Sequence, residues 1–320
     1  MALSDTTRFA LALDAMDGVG RVTAGRLLSH FADYDDLLRY PREQVLARIK
    51  GAPRSKALVT ALFDREAMGA LLAKAAQTAE SLRKQKVTLV TMRDAAWPAG
   101  LNDLPRGNRP FLLHAFGRLD VLRHPIVAVL ARSPLTTVSV EQAQALVRHL
   151  LPHGIAPATG ASDAIDEAVH KQCYGGTTGY ASLLVASTGM AKTPSSMRPT
   201  VSAVAHAGGL FLSPFAMDHG PYEHDDKERA LVLAALAQAC VFFEPTPHTP
   251  EWHALTWAVE SGRPVFGVAA SQHPLPERVH PLHSDVDFDW VLAAVQREDE
   301  RGTRADTRAP DRSPGQAPPD

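Results

Sequence analysis

The sequence predicts an α/β fold: an extended Rossmann-like, doubly wound, mostly parallel sheet preceded by a small all-α domain of helix-hairpin-helix or SAM-like type. Three observations carry this. Between residues 126 and 269, six short apolar runs alternate with helical patterns of roughly 12 residues, the signature of right-handed βαβ crossovers. The first 86 residues show apolar spacing of helical period only. A short strand-like stretch, 87–125, joins the two.

Taken in order, the helical domain (1–86) is marked by the buried stripes Leu27, Leu28, Phe31 and Val45, Leu46, Ile49. The connector holds VTLVT at 87, a Trp97-Pro98 break and FLLHAF at 111–116, and is expected to add edge strands. The Rossmann-like domain, 126–296, carries IVAVL at 126, GIAPAT at 154, SLLVAS at 182, GLFLSP at 209, CVFFEP at 240 and PVFGVA at 264. The tail, 297–320, is Pro-rich, charged and almost free of large apolar residues, which predicts disorder.

Composition limits the function. The chain has 320 residues, 45% apolar, with 33 Lys plus Arg against 35 Asp plus Glu, so bulk charge alone cannot drive polyanion binding. The charge is segregated: residues 1–94 hold 15 basic and 11 acidic side chains (+4), residues 95–296 hold 13 and 18 (−5). Two distant cysteines, Cys173 and Cys240, support neither a disulfide framework nor a zinc site. The N-terminus lacks a signal-peptide pattern, and no apolar run is long enough to span a bilayer, so a soluble cytoplasmic protein without membrane association is expected.

The first chemical motif is DGVGRVTAGRLLSHF, 17–31. Gly18 and Gly20 allow a tight turn whose backbone approaches a phosphate, the following helix opens with unpaired N–H groups, and Arg21 and Arg26 add charge beside it. A second, weaker hairpin at 41–63 carries Arg48, Lys50, Arg54 and Lys56. Both hairpins are equally readable as packing elements. The second constellation lies at the carboxyl ends of the strands, where doubly wound sheets bind ligands: Arg132, Ser133 and Thr136; Thr159 and Gly160; Thr188; and 244–248. These loops contain no GxGxxG, GxxxxGK[ST], GxSxG or HExxH, so a dehydrogenase, a P-loop NTPase and the common hydrolases are poorly supported, and no catalytic residue, metal or cofactor is implied.

The order of features resembles the DprA/Smf family, bacterial DNA-processing proteins that bind single-stranded DNA and load the recombinase RecA. GVG with Leu27, Leu28 and Phe31 is similar to that family's N-terminal hairpin. Trp97-Pro98, Leu101, Leu104 and 110–117 resemble its connector. Thr159-Gly160-Ala161-Ser162-Asp163-Ala164-Ile165-Asp166 with His170 stands where the family has SGxAxGID and AH, followed by Gly175-Gly176. Gly208-Gly209-Leu210 to Ser213-Pro214, Val241-Phe242-Phe243-Glu244 and 262–266 continue the series. The resemblance implies a homodimer through the Rossmann domain, a RecA partner, and a role in recombination or natural transformation.

The motifs also depart from the family. The first loop reads Leu130-Ala131-Arg132-Ser133, without the glycine of VGSR; the GID glycine is Ala164; and RNR becomes Arg229-Ala230-Leu231, with Lys227 two residues earlier. The closing PG is Ala269-Ala270. Arg132, Lys192, Lys227 and Arg229 are the candidate phosphate contacts of a rebuilt crevice. Asp166 is expected to cap the helix it opens, with His170 packed beside it, and Trp252 and Trp257 are expected in the core. The leading reading is a non-catalytic single-stranded DNA-binding recombination mediator. A nucleotide sensor or hydrolase on the same fold, and an interaction scaffold that has lost DNA binding, are the alternatives. The charge asymmetry places a larger share of any DNA grip on the N-terminal hairpins.

Overall fold

In the computed structural model, which describes residues 3–174 and 180–306 with side chains as far as 298, strand β3 (Ile126–Ala131) shows how the sheet is built. All six of its residues are buried, and they alternate: Ala128 and Leu130 join one core, Val127 and Val129 the other. A continuous apolar run is needed for this, because both faces of the strand are covered by helices.

The helical region comprises α1 (Asp5–Asp14), α2 (Arg21–His30), α3 (Tyr34–Leu38), α4 (Arg42–Arg48), α5 (Ser55–Leu62) and the 20-residue α6 (Arg65–Lys84). Ser4, Asp33 and Asp64 cap α1, α3 and α6 through their side chains, whereas α2 follows Gly20, which offers none. Gly18, at φ +78, supplies the left-handed turn between α1 and α2.

β1 (Val87–Thr91) and β2 (Leu112–Gly117) form an antiparallel pair that joins the main sheet through β6. Their faces divide between two cores: Leu113, Ala115 and Val90 pack into the sheet core, while Phe111 and Leu112 close the helical core around Phe9, Leu27, Leu28 and Phe31. The helical region is therefore fastened to the sheet by shared apolar packing.

The remaining elements are α7 (Thr137–Leu150), β4 (Ala156–Gly160), α8 (Ala164–Tyr174), β5 (Leu183–Val185), α9 (Arg198–His206), β6 (Leu210–Ser213), α10 (Asp225–Leu236), β7 (Ala239–Phe243), α11 (Pro250–Glu260), β8 (Val265–Val268), β9 (His280–Pro281) and α12 (Phe288–Asp306). Among the described residues the strands form one sheet in the order β1-β2-β6-β5-β4-β3-β7-β8-β9, parallel from β6 to β9. The order reverses between β3 and β7, which defines the switch point. α10 is apolar from Ala230 to Leu236 and is buried under the sheet against α11.

Two expectations need correction or placement. The tail was expected to be disordered from 297, but α12 continues through Asp306. Its first turns are anchored by Phe288, Val291 and Val295 in the core, and the Arg, Glu and Ala that follow are good helix formers that propagate an established helix cheaply. Residues 307–320, and the Gly175-Gly176-Thr177 echo, lie outside the described residues. Cys173 and Cys240 are free and buried, and burial pushes both thiols up to about 12. No described helix is long and apolar enough to cross a membrane.

Candidate nucleic-acid interface

At the switch point, the loop after β3 places Arg132 beside α10 and α11. Its Nε donates to Glu251 at 2.9 Å and its Nη2 to Asp226 at 2.9 Å. Arg229 donates to the other oxygen of Glu251 at 2.9 Å. Arg229 is 5% exposed and Glu251 3%, so the two guanidinium groups share one buried carboxylate. Arg132 remains half-open at the surface, while Arg229 is a structural cation with no free face. Gly160 is what admits it: a Cβ there would lie 2.2 Å from Arg229 Nη1 and 2.7 Å from Asp166 Oδ2.

The other crevice loops are likewise satisfied from within. Ser133 N donates to Asp163 at 3.1 Å. Asp166 accepts from the Thr159 hydroxyl at 2.6 Å, Gly160 N at 3.0 Å, Ser162 N at 3.0 Å and Asp163 N at 2.9 Å, so it ties the loop before α8 rather than accepting from the helix's own first turn as expected. His170 does not reach Asp166. It is fully buried, with Nδ1 3.2 Å from Ser182 Oγ, and burial lowers its pKa to about 3.

Glu244, at φ +48 after β7, fills the position that a phosphate takes in many Rossmann folds. Its carboxylate accepts from Thr136 N at 3.2 Å, from Ser139 Oγ at 2.5 Å and from the Thr136 hydroxyl, at the first turn of α7. Burial alone would raise its pKa, but the bonds from Ser139 and Thr136 outweigh it and the net shift is downward. The crevice is thus an internally bonded network in which the carboxylates of Asp163, Asp166, Asp226, Glu244 and Glu251 outnumber the guanidinium groups of Arg132 and Arg229. Lys192 and Lys227 are exposed, and among the described residues no ion pair joins either to that network. Trp252 and Trp257 are half-buried, and the Arg263 guanidinium lies over Trp257 at 4.5 Å from the ring centre.

The cations left uncompensated by carboxylates lie elsewhere. One face of α2 presents Val22, Gly25, Arg26 and Ser29, at helical spacing i, i+3, i+4 and i+7, as the wall of a groove of about 390 Å³. Arg48 and Lys50 at the end of α4 form one rim, and Arg106 and Arg109 in the loop before β2 form the other. Arg21 stands at one end. No Asp or Glu lines the groove. Arg26 donates to Lys50 O at 2.9 Å and Arg109 to Leu104 O at 3.1 Å, so backbone carbonyls hold these guanidinium groups in place without neutralising them. Arg48, Lys50 and Arg106 are exposed. Gly25 leaves the wall flat, since a Cβ on it would meet nothing within 4 Å.

Of the residues expected at the hairpin, Arg21 and Arg26 reach this groove, while Gly18 and Gly20 shape the turn before it without lining it. Arg21 is also paired, with Glu228 of α10 at 2.6 Å. The connector arginines Arg106 and Arg109 were missed. The signal was present in PRGNRP, two arginines three apart in a loop bracketed by prolines.

The family described as DNA recombination-mediator protein A matches residues 88–281. Among solved structures, the X-ray structure of DNA processing protein A from Streptococcus pneumoniae is 18% identical, with a TM-score of 0.67, covering 92% of this chain and 98% of that one. A structure of DNA processing protein A from Helicobacter pylori, described for its single-stranded DNA binding mode, is 14% identical with a TM-score of 0.48, covering 68% of this chain and 97% of that one. No curated protein matches.

Proposed function

This chain belongs to the DNA recombination-mediator protein A family, and on that premise we propose that it is a non-catalytic mediator that holds single-stranded DNA by its phosphates. The observation that carries the single-strand reading is the carboxylate-free groove between α2, α4 and the connector, with Arg26, Arg48, Lys50, Arg106 and Arg109 around a flat helical wall. Cations spaced along a groove track a phosphate backbone without reading bases. Lys192 and Lys227 add two exposed cations on the otherwise acidic Rossmann-like domain. The Arg132–Glu251–Arg229 network serves the fold there, and Glu244 weighs against a nucleotide site at α7. Loading of a RecA-type recombinase and a homodimer are parts of this proposal that rest on family membership.

The test is fluorescence anisotropy with a labelled oligo-dT across a salt series. The triple variant R48A/K50A/R106A is expected to bind more weakly and to lose about two units of salt slope, at roughly 0.7 per single-strand phosphate contact. The pair K192A/K227A is expected to lose less. If the intact protein shows no binding at low salt, or the triple variant binds like wild type, the groove is not the site; a retained partner interaction with no DNA binding would indicate a scaffold instead.

A further inference from the structure

Next to the cationic groove lies a second, smaller cavity of about 190 Å³, at the seam between the helical region and the β2–β6 side of the sheet. The two cavities share Arg21 and Pro110 in their walls, so they adjoin. Their linings differ in kind. The charged side chains of the groove are all basic, whereas the seam pocket has apolar walls from Pro110, Phe111, Pro214 and Phe215, and its polar groups include the Asp14 carboxylate and His114. Phe215 is itself braced: it stacks on His219, centroids 4.5 Å apart and 9° between planes, and the Arg21 guanidinium lies 5.8 Å from its centre.

We propose that this seam pocket receives one unpaired nucleobase bearing an exocyclic amino group, from a strand whose phosphates lie in the adjoining groove; the inference rests on the single-strand reading above. A carboxylate inside the pocket repels a phosphate but accepts from an amino group, so the charge pattern sorts backbone to the groove and base to the pocket. Flat proline and phenylalanine walls suit a planar heterocycle. His114 adds a hydrogen-bonding group: it is 3% exposed, and its Nδ1 has no hydrogen-bond partner among the described residues. Burial lowers its pKa to about 4, so the ring is neutral at pH 7 and Nδ1 is free to donate or accept toward a base edge. Arg21, held by Glu228 at 2.6 Å, stands where the chain would pass from groove to pocket.

The experiment compares oligo-dC, oligo-dA and oligo-dT of equal length by anisotropy on the full chain and on D14A. Asp14 is an exposed residue at the end of α1 with no hydrogen bond within the described chain, so D14A is expected to keep the wild-type melting temperature. Wild type is expected to prefer oligo-dC and oligo-dA to oligo-dT by roughly threefold to tenfold, the range of one net hydrogen bond. D14A is expected to bring the three affinities together by weakening oligo-dC and oligo-dA relative to oligo-dT. Free adenosine is expected not to displace the strand. Equal wild-type affinities unaltered by D14A would overturn the pocket and leave the single-strand reading standing, and displacement by adenosine would give the pocket to a free nucleoside and overturn it too. Absence of binding to every oligonucleotide would remove the reading and the inference together.

Discussion

Glu251 accepts from Arg132 and Arg229 at 2.9 Å each, and this pairing decides what the arginine aligned with the family's RNR signature does here. A buried ion pair contributes little net stability over an apolar substitute, yet removing one partner is costly because a buried charge is left behind. E251Q is therefore expected to destabilise the protein by about 3 to 5 kcal/mol, read as a lower urea midpoint. G160A drives a methyl against the Arg229 guanidinium and is expected to cost about 1 to 3 kcal/mol through overpacking. An unchanged midpoint in both would show that the network is not held as described. The sequence showed Arg229 at its position, but not its carboxylate. That partner lies 22 residues away on α11, and a third member, Arg132, comes from a loop after β3, so only the tertiary fold brings them together.

At the level of elements, α7 illustrates how an anion site is closed from within. Its first turn offers Thr136 N and the Thr136 and Ser139 hydroxyls, and Glu244 takes all three. E244A is expected to cost about 1 to 3 kcal/mol for the donors it strands. It is also expected to create a weak phosphate site, so that inorganic phosphate raises the melting temperature of E244A and not of wild type. A phosphate shift of equal size in both proteins would mean that the wild-type crevice is open. The six apolar runs and the helical spacing before 86 were legible because period and burial are local properties of the chain. Less was legible where an element borrows its stability: β2 lies between β1 and β6 by antiparallel pairing, two-residue β9 exists only against β8, and α12 outruns its apolar anchor. The groove was half-legible. Arg26, Arg48 and Lys50 stood out beside hairpin turns, and PRGNRP displayed Arg106 and Arg109, but only the fold brings that loop to the groove along α2.

For the whole molecule, acid stability depends on two buried histidines, His170 of α8 beside Ser182 and His114 on β2 at the seam. His170 is fully buried with its pKa lowered to about 3, and His114 is 3% exposed with its pKa lowered to about 4, in both cases by burial. In the unfolded chain both return to about 6.5. Below that value the unfolded state binds protons that the folded state refuses, so the stability contributed by burying neutral rings is fully present above pH 6.5 and is lost as pH falls toward the folded values. The loss approaches about 1.4 kcal/mol per pH unit for each histidine once the pH is well below 6.5, so together they remove about 3 kcal/mol between pH 6.5 and 5. The carboxylates with lowered pKa, Glu244, Asp163 and Asp226, act in the same direction, but only as pH falls through about 4.5 and below, where unfolded carboxylates begin to protonate. Urea midpoints are therefore expected to hold from pH 8 to 7 and to fall steeply between 6.5 and 5, before carboxylate titration begins. Midpoints that stay level down to pH 5 would mean that both rings accept protons in the folded protein, and the neutral His114 assigned to the seam pocket would fall with them.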